Sequence, residues 1–263
     1  NITYSRFWDW EQYKPRFSNS WDEYRNSIWH RVGYVNWGYE AIGRFQNWEQ
    51  IANYPIDNDR KGNRTVVPGD IMYKDQNNDG VINYLDERPI GYRVDSTPTL
   101  NFGINLSASW KGFDLAMDWT GSGMTSWNQC YETARPFQND GNSPDEVLKD
   151  AWHLSDIWDA NSPLIPGKYP MIRLNTDETS AYDKSSYWLH NVTYLKLRNL
   201  EVGYTFPKTW LNKTGISNLR LFVSGTNLLT LSNLSVMDPE CASDNGLDYP
   251  PMRVINIGVN LKF

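Results

Sequence analysis

The sequence predicts an all-β chain made of about six C-terminal strands of a large antiparallel transmembrane β-barrel with long extracellular loops. The first sign is residues 254–263, where Ile255, Ile257, Val259, Leu261 and Phe263 share one face and Asn256, Gly258, Asn260 and Lys262 the other. A period of two means a strand between two different solvents, and an aromatic at its end suits the closing strand of a barrel with lipid outside and a polar lumen inside. The second is the composition. With 40% apolar residues and a mean hydropathy of -0.64, no stretch offers the ~18 consecutive apolar residues of a spanning helix, whereas a spanning strand needs only every second residue apolar. The third is the spacing of the strand-like segments, which alternates long and short.

In chain order, residues 1–8 have the character of a strand, and an irregular excursion then runs to about Pro98. Its aromatics, among them Trp8, Trp10, Tyr13, Trp21, Tyr24, Trp29, Trp37, Tyr39 and Phe45, read either as a packed loop core or as a ligand platform. From Leu100 the alternation is clean: Leu100, Phe102, Ile104, Leu106, Ala108 and Trp110 oppose Asn101, Gly103, Asn105, Ser107 and Ser109. A two-residue Lys111-Gly112 turn leads into a return strand with Phe113, Leu115, Met117 and Trp119 on its apolar face. After Gly121 the sequence reads as irregular for more than sixty residues. Strands are predicted again over 190–206 and 218–231. Leu195 and Leu197 lie in one phase and Leu200, Val202, Tyr204 and Phe206 in the other, so a bulge is expected near Arg198 and Asn199. Residues 207–217 form the turn between them, and 232–251 lead irregularly into the closing strand.

The most specific local motif is Asp75-Gln-Asn77-Asn-Asp79-Gly80-Val81-Ile82-Asn83-Tyr-Leu-Asp86. Oxygen-bearing side chains at loop positions 1, 3, 5, 9 and 12, with glycine at 6, match a calcium loop of the EF-hand type. Asp75, Asn77, Asp79 and Asp86, the Val81 carbonyl and a water held by Asn83 would supply the oxygens of a structural calcium. Aspartate replaces the usual glutamate at the last position, and no amphipathic helix clearly flanks the loop. The alternative is a turn held by bonds from side chain to backbone.

The net charge of -6 and isoelectric point near 5.1 leave no basic stripe for nucleic acid. The histidines His30, His153 and His190 fall in no metalloprotease or triad signature, so no enzyme activity is expected. Cys130 and Cys241 lack metal spacing; whether they pair stays open. A secreted, calcium-bound β-sandwich that binds glycans is the rival fold. It leaves the apolar faces of 100–119 needing a second sheet, and it does not explain the spacing of the loops. In an up-and-down barrel, long loops lie outside and short turns in the periplasm, so a periplasmic C-terminus puts 75–86, 127–158 and Cys241 all outside. Six strands are fewer than the roughly eight of the smallest bacterial barrels, so residues 1–263 are expected to be part of a longer chain.

Several runs in order carry a resemblance: Gly69-Asp-Ile-Met-Tyr-Lys-Asp-Gln-Asn-Asn-Asp-Gly-Val-Ile-Asn, then Pro89-Ile-Gly, then Trp110-Lys-Gly-Phe-Asp-Leu. Tyr194-Leu-Lys-Leu-Arg-Asn-Leu-Glu-Val-Gly-Tyr-Thr-Phe-Pro, Leu219-Arg-Leu-Phe-Val-Ser-Gly-Thr-Asn-Leu-Leu and Tyr249-Pro-Pro-Met-Arg-Val-Ile-Asn-Ile-Gly-Val-Asn-Leu-Lys-Phe follow. Together they resemble the C-terminal region of SusC/RagA-type TonB-dependent outer-membrane transporters. The resemblance implies a plugged barrel of about 22 strands, driven by TonB through an upstream plug, with a SusD-like surface lipoprotein as lid. Oligosaccharides are the implied cargo, with peptides, as in the RagA branch, the alternative. Ligand or partner contacts are then expected at the external Trp127, Tyr131, Asp150, Trp152, Asp156 and Trp158, because aromatic faces stack on sugars.

Overall fold

A computed structural model describes residues 1–6, 8, 17–27, 35–94, 98–174, 178–212, 215–240 and 245–263. Its strands in chain order are β1 (Ile2–Tyr4), β2 (Asn36–Gly38), β3 (Ala41–Arg44), β4 (Ile71–Tyr73), β5 (Arg88–Gly91) and β6 (Leu100–Trp110). They continue with β7 (Phe113–Asn128), β8 (His153–Leu154), β9 (Leu164–Ile165), β10 (Leu189–Thr205), β11 (Asn218–Ser232) and β12 (Val254–Lys262). Six of them form one antiparallel sheet in the order β1-β6-β7-β10-β11-β12. Among the described residues no helix is long and apolar enough to cross a membrane.

The register carries the two-faced pattern across the whole sheet. One row reads Ala108, Leu115, Val202, Val223, Ile257; the next reads Trp110, Phe113, Tyr204, Leu221, Val259. The adjacent row on the opposite face reads Ser107, Ala116, Glu201, Ser224, Asn256. Because successive side chains alternate, a slip of one residue would put the whole apolar set on the polar side, so each strand fixes the others' register. The apolar face stays open, with Leu106, Val223 and Ile257 all exposed, which in water would require a second covering sheet. On the polar face Arg220 pairs with Asp114 and Glu201.

Lys111 and Gly112 take φ of 49° and 89°, the left-handed pair that a two-residue hairpin turn requires. The phase change in β10 is a bulge: pairing with both β7 and β11 shifts between Leu197 and Asn199. In β11 Asn227 takes a φ of 54° beside it. Both registers can then keep their leucines on the apolar face.

Two expectations are corrected. β1 covers three residues rather than eight, because its partner β6 starts at Leu100 opposite Tyr4. β7 continues to Asn128, 16 residues in all, instead of ending at Gly121. Its second half is buried by the loops, so the alternation that marks a strand between two solvents disappears there while the hydrogen-bond ladder continues.

The connections of 5–99, 129–188 and 233–253 leave the sheet at one end, and the turns at 111–112 and 206–217 lie at the other. The aromatics divide accordingly. Phe113, Tyr204, Phe206 and Trp210 follow one another at the turn end with ring centroids 4.6, 5.0 and 6.1 Å apart, like an interfacial girdle. At the loop end the first two connections share one core, in which Tyr39, Ile71 and Tyr73 meet Val147, Tyr169, Tyr182 and Trp188. Trp10, Tyr13, Trp29, His30 and Cys241 lie outside the described residues.

Candidate functional site

At the loop end of the polar face, the segment from Asn233 turns back over the sheet. Asn233 starts the turn by accepting from Thr193 N at 2.8 Å and donating to the Asn191 carbonyl at 2.8 Å. Lys196, only 1% exposed, then holds Asp238 at 2.8 Å and Glu240 at 2.9 Å. Arg198, at the bulge, donates to Glu240, to Thr120 Oγ1 at 3.1 Å and to Asn227 Oδ1 at 3.3 Å. A buried ammonium is costly unless paired, and these two carboxylates pair it.

Between this turned-back segment and the sheet lies a cavity of about 290 Å³. Asn101, Ser122, Ser126, Trp127, Tyr194 and Glu240 contribute to its wall. Ser122 Oγ donates to Asn101 Oδ1 at 2.8 Å and lies 3.2 Å from the Tyr194 hydroxyl. Ser126 Oγ accepts from Tyr92 N at 3.0 Å and donates to Asn191 Oδ1 at 2.9 Å. Of these wall residues only Trp127 was among the expected contacts. The usable signal was the continuation of small polar residues past Gly121 at 122, 125 and 126.

The predicted contacts do not form one site. Trp127 is 4% exposed and stacks on His190 at 5.6 Å. Trp152 is equally buried and packs against Gly69, which takes a φ of +92° and where a Cβ would sit 2.5 Å from Trp152 Cγ. Tyr131 is exposed, and Asp150 accepts from Lys168 N at 3.1 Å. Asp156 accepts from Trp158 N at 2.9 Å, which fixes the tip of the β8–β9 hairpin and leaves the Trp158 ring 90% exposed.

The acidic loop brings its carboxylates together in a turn held by bonds from side chain to backbone. Carboxylate oxygens of Asp75, Asp79 and Asp86 lie within 4.8 Å of one another. Gly80, at φ +83°, makes the sharp turn. Asp75 accepts from Asn78 N and Gly80 N at 2.6 and 2.8 Å. Backbone donation from Val81, then the Asn77 amide, holds the Asp79 carboxyl below its ordinary value. Asp86 is fully buried and accepts from Gln76 N and Asn83 N, both at 2.8 Å. Asn83 donates its amide to the Val81 carbonyl at 3.1 Å. Three converging carboxylates beside a backbone carbonyl form a hard-oxygen donor set that fits calcium. One 3₁₀ turn, Tyr84–Asp86, follows instead of a helix, and the loop is braced by Ile82 N donating to Asp57 O at 3.0 Å.

A neighbouring turn is held by one carboxylate. Burial alone would raise the Asp59 pKa, but the amide and hydroxyl of Thr65 and the amides of Lys61 and Asn63 donate to it, and it falls to about 2. Asp70 shows the opposite balance: burial raises it, with Arg173 pulling the other way.

No protein-family model matches the chain. TonB-dependent receptor P3 of Formosa agariphila is 30% identical over 243 residues, covering 85% of this chain and 22% of that protein. TonB-dependent receptor SusC of Bacteroides thetaiotaomicron is 24% identical over 252 residues, covering 89% of this chain and 20% of that protein. In fold, a chain of the RagAB peptide importer in its open-open state superposes with a TM-score of 0.57 at 23% identity, over 90% of this chain and 24% of that one. In sequence the chain is similar to TonB-dependent receptors, SusC among them, and in fold to a chain of the RagAB importer; it spans about a fifth of the length of the curated relatives it matches.

Proposed function

We propose that the chain is a wall section of the barrel of a TonB-driven importer that carries glycans across the bacterial outer membrane. The observation that carries this reading is the single six-stranded sheet with one apolar and one polar face, whose long connections all leave from the same end. In this reading the apolar face meets outer-membrane lipid and the polar face lines the lumen. The tight turns and the C-terminus are periplasmic, and the three long connections face outward under a SusD-like lipoprotein lid. The plug that TonB pulls and the other strands belong to the remainder of the full-length protein. The role is transport, without a catalytic step. Tyr131 and Trp158 present exposed aromatic faces for sugar stacking or lid contact, and Asp150 and Asp156 fix their local turns. Calcium would be structural, held by Asp75, Asn77, Asp79, the Val81 carbonyl, Asp86 and a water on Asn83, and would stiffen the outer loop body.

Purification of the full-length protein from membranes in mild detergent tests this reading. Co-elution of a surface lipoprotein and bound oligosaccharide is the expected result. Bound peptide in place of glycan would redirect the cargo assignment, and recovery in the aqueous fraction without detergent would overturn the barrel.

A further inference from the structure

We propose that the cavity beneath the 233–240 segment is a subsite for one neutral sugar unit of the cargo, an assignment that rests on the glycan reading above. Its place supports this, since it opens from the polar face at the loop end, where a molecule leaving the outer surface first meets the barrel wall. Its chemistry supports it too. The Asn101 amide and the Ser122 and Tyr194 hydroxyls are neutral groups that donate and accept, as a sugar's hydroxyls do, while Ser126 is committed to Tyr92 N and Asn191. The two charged groups in the wall, Arg198 and Glu240, are paired with each other, so the cavity offers no uncompensated charge to an ionic ligand. Trp127 and Tyr194, with the aliphatic Val94, Pro98, Val192, Leu234 and Pro239, also line the cavity and provide apolar surface for the C–H face of a pyranose.

The site is also pre-organised. Its floor is β7 and β10, paired from Leu189 to Tyr204 with register shifts between Val192 and Tyr194 and between Leu197 and Asn199. Its roof is fixed by Lys196, which does not line the cavity but holds Asp238 and Glu240 from below. Lys196 is therefore a positioning residue. Ordering the wall in advance lowers the entropic cost of binding.

The test uses the full-length receptor, together with any lipoprotein that co-purifies. Quenching of tryptophan fluorescence is titrated with neutral gluco-, xylo- and manno-oligosaccharides of about one to six units. A subsite for one unit gives a step in affinity at one chain length. Tyr194→Phe removes one hydroxyl without changing the packing and is expected to weaken the ligand at that step by about three- to tenfold. Ser122→Leu fills the cavity and is expected to abolish the step. Heat-modifiable migration in gel electrophoresis shows that each barrel has folded, and Tyr194→Phe carries the test if Ser122→Leu does not. A wild-type step that both variants retain overturns the subsite and leaves the glycan reading standing. Wild-type receptor that binds peptides and none of the oligosaccharides overturns both.

Discussion

Val223 and Ser224 are adjacent in β11 and point to opposite faces, which makes them a matched test of the two-solvent sheet. Val223 lies in the apolar row with Leu115, Val202 and Ile257, and Ser224 in the polar row with Glu201 and Asn256. A strand rising ~3.4 Å per residue and tilted ~45° climbs about 2.4 Å per residue, so an apolar band about 25 Å tall takes about ten residues. Counted from the turn end of β11 at Asn218, the middle of that band falls close to Val223. Arginine at the midplane of a barrel's lipid face costs about 2–4 kcal/mol, or roughly 30- to 1,000-fold in the folding equilibrium. Val223→Arg should therefore lower the urea stability of the full-length barrel in lipid vesicles by about that amount. Ser224→Arg places the same charge in the lumen opposite Glu201 and should change it by less than about 1 kcal/mol. Equal costs at both positions, or a larger cost at Ser224, would refute the facing of the sheet.

Three further outcomes follow from the loop body. Gly69→Ala forces a side chain into a left-handed backbone and against Trp152; a loss of roughly 2–4 kcal/mol should appear as faster protease nicking of the outer loops, with the barrel still heat-modifiable. Purified receptor should take up one calcium per chain, and Asp75→Asn or Asp79→Asn should weaken uptake at least about tenfold; calorimetry showing no uptake by the wild type would contradict the site. Asp59 carries a pH signature: its folded pKa of about 2 lies below the ordinary 3.8, so its stabilisation is fully present above 3.8 and disappears as the pH falls through about 2. That gap corresponds to about 2 kcal/mol, and Asp59→Asn should remove most of it at neutral pH and flatten the acid limb of loop unfolding followed by limited proteolysis.

The sheet was legible because its strands lie between two solvents. The alternation of β6, the Lys111-Gly112 turn, the phase change at Arg198 and the closing β12 all left a period of two in the sequence, and the structure has each of them. The same physics explains where legibility ended. From Ser122 to Asn128 the strand is covered on both sides by the loops, so no alternation marks it. The Asp75–Asp86 turn was readable because its fold is written in local Asx-type bonds. The cavity was not, since Asn101, Ser122 and Tyr194 come from three strands and Glu240 from a loop whose return depends on a lysine 44 residues earlier in the chain. Burial of the aromatics was equally non-local. Trp152 and Trp158 stand six positions apart, yet one packs against Gly69 and the other is almost fully exposed.

The central claim is that this sheet crosses the outer membrane with its long connections outside. Site-directed labelling of intact cells with a membrane-impermeant maleimide tests it most directly, using full-length protein in which Cys130 and Cys241 are replaced by serine and one cysteine is introduced at a time. Trp158→Cys, at the tip of the β8–β9 hairpin, should label in intact cells, and Lys111→Cys, in the tight turn, only after the outer membrane is permeabilised. Labelling of Lys111→Cys in intact cells with Trp158→Cys protected would reverse the orientation, and equal labelling of both before permeabilisation would contradict the spanning sheet itself.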